Sequence, residues 1–159
     1  MKDEKQYHRI DDEIKQSAWR NELDKAGINL IFTGNWVKSV HSDFFKRFGI
    51  TWHQHNILRI LRGQKQRPIN INSIRERMVD KSSNVSRITE KLLRKKLIES
   101  RPSETDKRAV EIVITQKGLD LLSQIEQQVH EINNLLDHLE PSELIVLNML
   151  LDKIRNVSR

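Results

Sequence analysis

Cysteine is absent from the 159 residues, which removes disulfides, thiolate metal ligands, nucleophilic thiols and cysteine-based redox sensing together. Long apolar runs are absent too. The longest extend over four residues, as at Leu144 to Leu147, too short to cross a bilayer or to form the core of a signal peptide. The opening Met1-Lys2-Asp3-Glu4-Lys5 is polar, so the expected location is cytoplasmic, with no membrane partner. The motifs of common enzymes are also lacking: there is no Gly-rich phosphate loop, no Gly-x-Ser-x-Gly elbow and no His-Glu-x-x-His pair. The chain therefore reads as a non-enzyme without a cofactor. Apolar residues make up only 36% against 31% charged, so each helix is expected to carry one apolar stripe and to need a partner surface.

What is present is charge, unevenly placed. Residues 1 to 64 hold 11 basic and 8 acidic groups, residues 65 to 117 hold 14 and 7, and residues 118 to 159 hold 3 and 7. The three segments thus carry +3, +7 and −4. A partner feels the local field rather than the formal sum, and a basic middle on a neutral or acidic scaffold suits binding to a polyanion.

Periodicity supplies the elements. Ile10, Ile14 and Ala18 predict a short helix over 8–26 that Gly27 ends or bends. Trp36, Val40, Phe44 and Phe48 predict a second over 29–47, stopped by Gly49. Thr51 and Gln54 have the spacing of a capping box for a third helix, carrying Ile57, Leu58, Ile60 and Leu61 to Gly63. Residues 64–68 read as a loop and 69–71 as a short extended piece. A brief helix capped by Asn72 or Ser73 follows through Met78, then a longer one over 83–95. Two strands, 97–101 and 109–114, flank a polar loop, with Val110, Ile112 and Ile114 alternating on one face. Thr115 caps the next helix, where Leu122, Ile125, Val129, Ile132, Leu136 and Leu139 form a coiled-coil-type seam. Leu144, Leu147, Leu151 and Ile154 resume that spacing after Pro141.

Placed at about 100° per residue, helix 83–95 gathers Val85, Ile88, Thr89, Leu92 and Leu93 in one arc and Asn84, Arg87, Lys91, Arg94 and Lys95 in the other. A helix packed by one side and offering amide, hydroxyl and guanidinium groups on the other fits a major groove about 12 Å wide. Arg87 suits guanine O6/N7 and Asn84 suits adenine, whereas Ser82, Ser83, Ser86, Lys91 and Lys95 suit phosphate. The loop Ser103 to Arg108 presents Lys107 and Arg108 as a thin cationic finger fit for a minor groove, with Asp106 placed to brace Arg108. Helix, turn, helix and hairpin together make a winged helix-turn-helix: mainly α, with a small β-hairpin wing.

These residues resemble the MarR-type winged-helix transcriptional regulators over about residues 26 to 157. The resemblance lies in Gly49-Ile50-Thr51 with Gln54 and Ile57-Leu58, in Ser83-Asn84-Val85-Ser86-Arg87 with Leu92, in Asp106-Lys107-Arg108-Ala109-Val110, and in Ile114-Thr115-Gln116-Lys117-Gly118. It implies a recognition helix at 83–95 and an Asp-x-Arg wing motif at Asp106 and Arg108. It also implies a homodimer joined through N- and C-terminal helices, a pseudo-palindromic double-stranded DNA operator, and release by a small-molecule effector. The corresponding division is an extension over 1–25, a helical dimerisation region over 26–50 and 116–159, and a DNA-binding lobe over 51–115. In the family's usual effector region stand Trp36, His41, Phe44, Trp52 and His55. Two departures are visible: Lys95-Lys96-Leu97 where the family has Gly, so that the helix exit is expected to differ in detail if Lys96 must adopt the left-handed conformation, and the stretch before residue 26.

Two other readings share the residues. The heptad seam suits a protein-interaction adaptor, and His53 and His55 with His41 suit a metal-responsive DNA-binding sensor. No His pair has the i, i+4 spacing of a common helical zinc site, and no metal is expected.

Overall fold

The computed structural model describes residues 8–103 and 110–156. The chain divides into two compact units, residues 1–43 and 44–159.

In the first unit, helix α1 spans only Ile10–Glu13, and α2, Glu22–Lys46, begins there and runs on past its boundary. The sequence predicts one helix over 8–26; the chain instead turns back at Lys15, whose φ is +54°. A polar cluster holds the return: Asp11 accepts from Trp19 Nε1 at 2.5 Å and from Lys25 Nζ at 2.8 Å. Gly27 does not end a helix, because it lies inside α2. Leu23, Leu30 and Ile31 of this helix are exposed.

The second unit holds the core. Where α2 ends, Gly49 adopts φ +68°, with Gly49 N–H on the Lys46 carbonyl at 3.0 Å and Ile50 N–H on the Phe45 carbonyl at 3.3 Å. That pair of bonds is a Schellman motif, which requires a left-handed residue where Gly49 stands. Helix α3, Trp52–Gly63, starts in the capping box expected of Thr51 and Gln54. Strand β1, Ile69–Asn70, leads directly into α4, Ile71–Arg77, capped by Asn70 rather than by Asn72 or Ser73. Next come α5, Val85–Arg94, and the strands β2, Ile98–Pro102, and β3, Val110–Ile114. The antiparallel sheet has the order β1-β3-β2, pairing Ile69 and Ser100 with opposite sides of Ile112. Central placement explains a departure from the expected alternation: Ile112, Val113 and Ile114 are all buried, while Val110 at the strand's start is exposed.

Helix α6, Gln116–Gln128, is capped by Thr115, whose side chain accepts from Gly118 N–H. The expected continuous seam breaks here. Val129 ends α6, the short α7 spans His130–Asn133, and turns lead to α8, Pro141–Arg155. Leu122, Ile125 and Ile132 are drawn into one core with Phe45, Ile57, Leu58, Leu61, Ile74, Leu92 and Ile112. The first half of the seam is thus an intramolecular face. Arg47 fastens it from outside, donating to Glu131 Oε2 at 2.5 Å and Gln128 Oε1 at 2.6 Å. Helix α8 differs, burying no residue and exposing Ile145, Val146, Met149, Leu150 and Ile154. No helix among the described residues is long and apolar enough to cross a membrane.

Candidate nucleic-acid interface

Helix α5 forms because an Asn cap precedes an amphipathic run. Val85, Thr89 and Leu92 are buried and Ile88 and Leu93 partly so, while Ser86, Arg87, Lys91 and Arg94 are exposed. Burial follows the arc that the sequence predicts. The helix starts at Val85, later than expected, because Asn84 is its N-cap and accepts from Arg87 N–H at 3.1 Å. This engages the oxygen of Asn84, so its amide is not free as a whole for the two-bond reading of adenine that the residue type suggests. Its NH₂ remains a donor toward phosphate.

The turn before α5 is tied by one carboxylate. Asp80 Oδ1 accepts from the Ser82 backbone N–H at 2.9 Å and from the Ser82 hydroxyl at 2.6 Å, and Oδ2 lies 2.9 Å from His53 Nε2. The Ser82 hydroxyl, then His53, hold the Asp80 carboxyl well below the usual carboxylate range. An ionised carboxylate only accepts, so His53 Nε2 carries the hydrogen. One residue earlier, Val79 N–H donates to Asn56 Oδ1 at 3.0 Å. Ser82 is exposed with its hydroxyl engaged, and Ser83 is half-buried.

Past the other end of α5, Lys95 is exposed but its ammonium donates to the Gly49 carbonyl, which points part of its charge at the scaffold. Lys96 has φ +58°, the left-handed conformation that a glycine adopts freely. Lys96 N–H reaches the Leu93 carbonyl at 2.8 Å and Leu97 N–H the Leu92 carbonyl at 3.1 Å, a second Schellman motif built on a lysine. The hairpin base is well formed, with Ser103 buried and its hydroxyl 3.0 Å from Glu111 Oε1. Asp106, Lys107 and Arg108 of the expected finger lie outside the described residues.

Of the aromatic and His candidates, Trp36 and His41 belong to the first unit and Phe44, Trp52 and His55 to the second. Trp36 is exposed, and burial pushes the His41 imidazole below its usual value. In the second unit Phe45, absent from the sequence-derived set, is the hub. It stacks on His55 at 4.3 Å between centroids, lies 5.7 Å from Trp52 and meets Phe44 edge-on at 5.1 Å. Among the described residues no cluster of three or more His, Asp or Glu could hold a metal ion. His53, one candidate ligand, is the partner of Asp80.

Sequence reasoning also missed the grip of His53 and Asn56 on the turn, whose partners Asp80 and Val79 lie 27 and 23 residues away. It did not single out Arg75, Arg77 and Lys81, all exposed on α4 and the turn after it.

This arrangement of three helices and a three-stranded sheet invites comparison with known proteins. Residues 50–110 match the MarR family model. The match runs from the start of α3, through α4 and α5, into the sheet. Three solved structures share this fold. A mutant of MarR from E. coli complexed with operator DNA aligns at TM-score 0.74 and 23% identity, covering 87% of this chain and 99% of that one. The MepR–DNA complex of S. aureus aligns at TM-score 0.72 and 23% identity, over 80% of this chain and 94% of that one. Bordetella bronchiseptica BpsR, whose DNA binding is regulated by 6-hydroxynicotinic acid, aligns at TM-score 0.75 and 19% identity, over 89% and 100%. No curated protein matches the chain in sequence.

Proposed function

We propose that the protein is a MarR-type transcriptional regulator that binds double-stranded DNA in a sequence-specific manner. In this reading it acts as a homodimeric repressor on a pseudo-palindromic operator, and a small ligand releases it. The observation that carries the reading is α5. Its exposed face presents Ser86, Arg87, Lys91 and Arg94 on a rod anchored by Val85, Thr89 and Leu92. Such a rod enters a major groove with its first turn toward the base edges, Arg87 reading guanine while Ser82, Ser83, Asn84, Ser86 and Lys91 follow phosphate. The preceding helix crosses the backbone in this geometry, which gives Arg75, Arg77 and Lys81 phosphates to meet. Asp106, Lys107 and Arg108 are assigned to the wing.

Pairing is supported by α8, whose row of exposed apolar residues is what a second copy covers; a two-fold dimer on a pseudo-palindrome sets its two reading helices about 34 Å apart. The domain division that goes with it is a reading lobe over 51–115, dimerisation helices over 26–50 and 116–159, and an extension over 1–25. Ligand release is supported by the likeness to BpsR; its candidate residues are Trp36 and His41 in the first unit and Phe44, Trp52 and His55 in the second.

The test is duplex selection from a random pool followed by anisotropy titration of the selected sequence at two salt concentrations. Affinity is expected to fall roughly 10³–10⁵-fold between about 50 and 200 mM salt for about 6–10 neutralised phosphates. Arg87→Ala is expected to relax base preference at one position of each half-site by roughly 1–3 kcal/mol. Failure of selection to enrich any sequence would overturn the reading.

A further inference from the structure

The turn between α4 and α5 delivers Ser82, Ser83 and Asn84 to the start of α5. Two residues of α3, one helical turn apart, grip two successive residues of this turn. Asn56, which is buried, accepts from Val79 N–H at 3.0 Å, and His53 donates from Nε2 to Asp80 at 2.9 Å. Asp80 passes the constraint on through its other oxygen, which takes both the backbone N–H and the hydroxyl of Ser82. The Asp80 backbone carbonyl accepts from Ser83 N–H at 3.3 Å. An unbroken series of hydrogen bonds therefore runs from α3 to the residue before the Asn84 cap. The side chains of His53 and Asp80 are 39% and 40% exposed, so the pair contributes little to global stability. Its geometric effect falls on the segment that leads into the Asn84 cap.

We propose that His53 is a positioning residue for DNA binding: through Asp80 it fixes the turn 80–84 in the conformation that presents the first turn of α5 to the duplex, without touching DNA itself. The inference rests on the DNA-binding reading above and names a residue that lies outside the reading helix and wing.

The experiment compares the wild-type chain with His53→Ala, His53→Gln, Asp80→Ala and the double variant His53→Ala/Asp80→Ala, using the duplex selected for the wild type. Gln places an amide donor near the site of Nε2 and serves as the conservative rescue. Operator affinity of His53→Ala is expected to fall about fivefold, the upper range for one partly exposed side-chain pair. The salt slope is expected to stay at its wild-type value, because no phosphate contact is lost. Gln is expected to restore affinity, and the double variant to bind no more weakly than Asp80→Ala, since both changes break one chain of bonds. Amide hydrogen exchange on the free protein is expected to speed at Ser82 and Ser83 in His53→Ala and not along α3.

Wild-type affinity and wild-type exchange in His53→Ala would overturn the proposal. A salt slope reduced by about one would do so too, by making His53 a phosphate-contacting cation instead. If the wild type forms no duplex complex, the DNA-binding reading fails and the DNA half of this proposal with it, while the exchange data still decide whether His53 orders the turn.

Discussion

The Thr115 hydroxyl donates to the Lys96 carbonyl at 2.9 Å, so the cap of α6 and the exit of α5 share a hydrogen bond. Two more bonds join the same places: Thr115 N–H to the Leu97 carbonyl at 3.2 Å and Lys117 Nζ to the Lys95 carbonyl at 3.0 Å. Three successive carbonyls after the last turn of α5 are thereby satisfied by the first residues of α6. The strand-to-helix corner after β3 therefore sets where the C-terminal end of the reading helix points.

Gly118 is the residue that lets the two backbones approach. A Cβ there would stand 2.3 Å from the Leu97 carbonyl oxygen and 2.7 Å from Ile114 Cγ1, distances that force backbone to move. Gly118→Ala is expected to lower stability by about 3 kcal/mol, the upper range for overpacking, even though alanine favours helix. Urea unfolding of the two proteins measures it, and an unchanged midpoint would show that the corner yields freely.

Lys96 presents the opposite case. Its φ of +58° is one that L-residues adopt at a cost of roughly 1–2 kcal/mol and glycine adopts freely. Glycine loses more backbone entropy on folding, which offsets part of the gain. Lys96→Gly is expected to raise stability by about 1 kcal/mol, read as a higher urea midpoint at unchanged slope.

Much of this was legible in the sequence, and the reason is range. The Thr51 and Gln54 box, the Thr115 cap and the Gly49 stop depend on residues within five positions of one another. Other local signals yielded to context: Gly27 lies inside α2, and Asn70 rather than Asn72 or Ser73 caps α4. The apolar arc of α5 was legible too, because a 3.6-residue period fixes a face. What the period leaves open is the partner of that face. Leu122, Ile125 and Ile132 have coiled-coil spacing, yet they pack against Phe45 and Leu61 of their own unit, and the helix breaks at Val129. The 8–26 helix failed for a similar reason: Asp11 finds Trp19 and Lys25, a pairing at separations of 8 and 14 residues that no helical spacing encodes. For the candidate interface, the exposed cations of α5 were readable one by one, whereas the hold of His53 and Asn56 on a turn 23 to 27 residues away was not.

Asn84 combines two tasks that substitution can separate. Removing the cap in Asn84→Ala is expected to destabilise the protein by about 1 kcal/mol. Aspartate keeps an acceptor for Arg87 N–H and suits the positive end of the helix, so Asn84→Asp is expected to preserve stability. Its added charge faces phosphate, and operator affinity is expected to fall in Asn84→Asp as well as in Asn84→Ala. Equal operator affinity of Asn84→Asp and wild type would remove this position from the DNA-facing surface.

Helix α8 supplies a test of pairing. Ile145 and Met149 stand one helical turn apart and are 70% and 59% exposed, an arrangement that costs solubility unless something covers it. Ile145→Lys/Met149→Lys leaves the core untouched. It is expected to convert a dimer into a monomer in sedimentation velocity and to weaken operator binding, because two linked half-site contacts become one. A variant that remains dimeric would place the pairing surface elsewhere.

Asp80 gives the chain a defined acid response. Its carboxyl is held below the usual 3.8, first by the Ser82 hydroxyl and then by His53, so the folded state binds this proton less readily than the unfolded state. The stabilisation is therefore fully present above the unfolded value and is lost as pH falls through the lower folded value. Asp80→Asn keeps an oxygen for Ser82 but has no proton to take up in this range. The stability difference between wild type and Asp80→Asn is expected to be constant above about pH 5 and to shrink steadily below about 3.8. The side chain is 40% exposed, so solvent screens the effect and added salt is expected to reduce it further. Urea midpoints of both proteins, taken across this pH range at low and high salt, provide the check. A difference that stays flat with pH would mean that the turn is held by its backbone bonds alone, and that the charge on Asp80 plays no part in presenting α5.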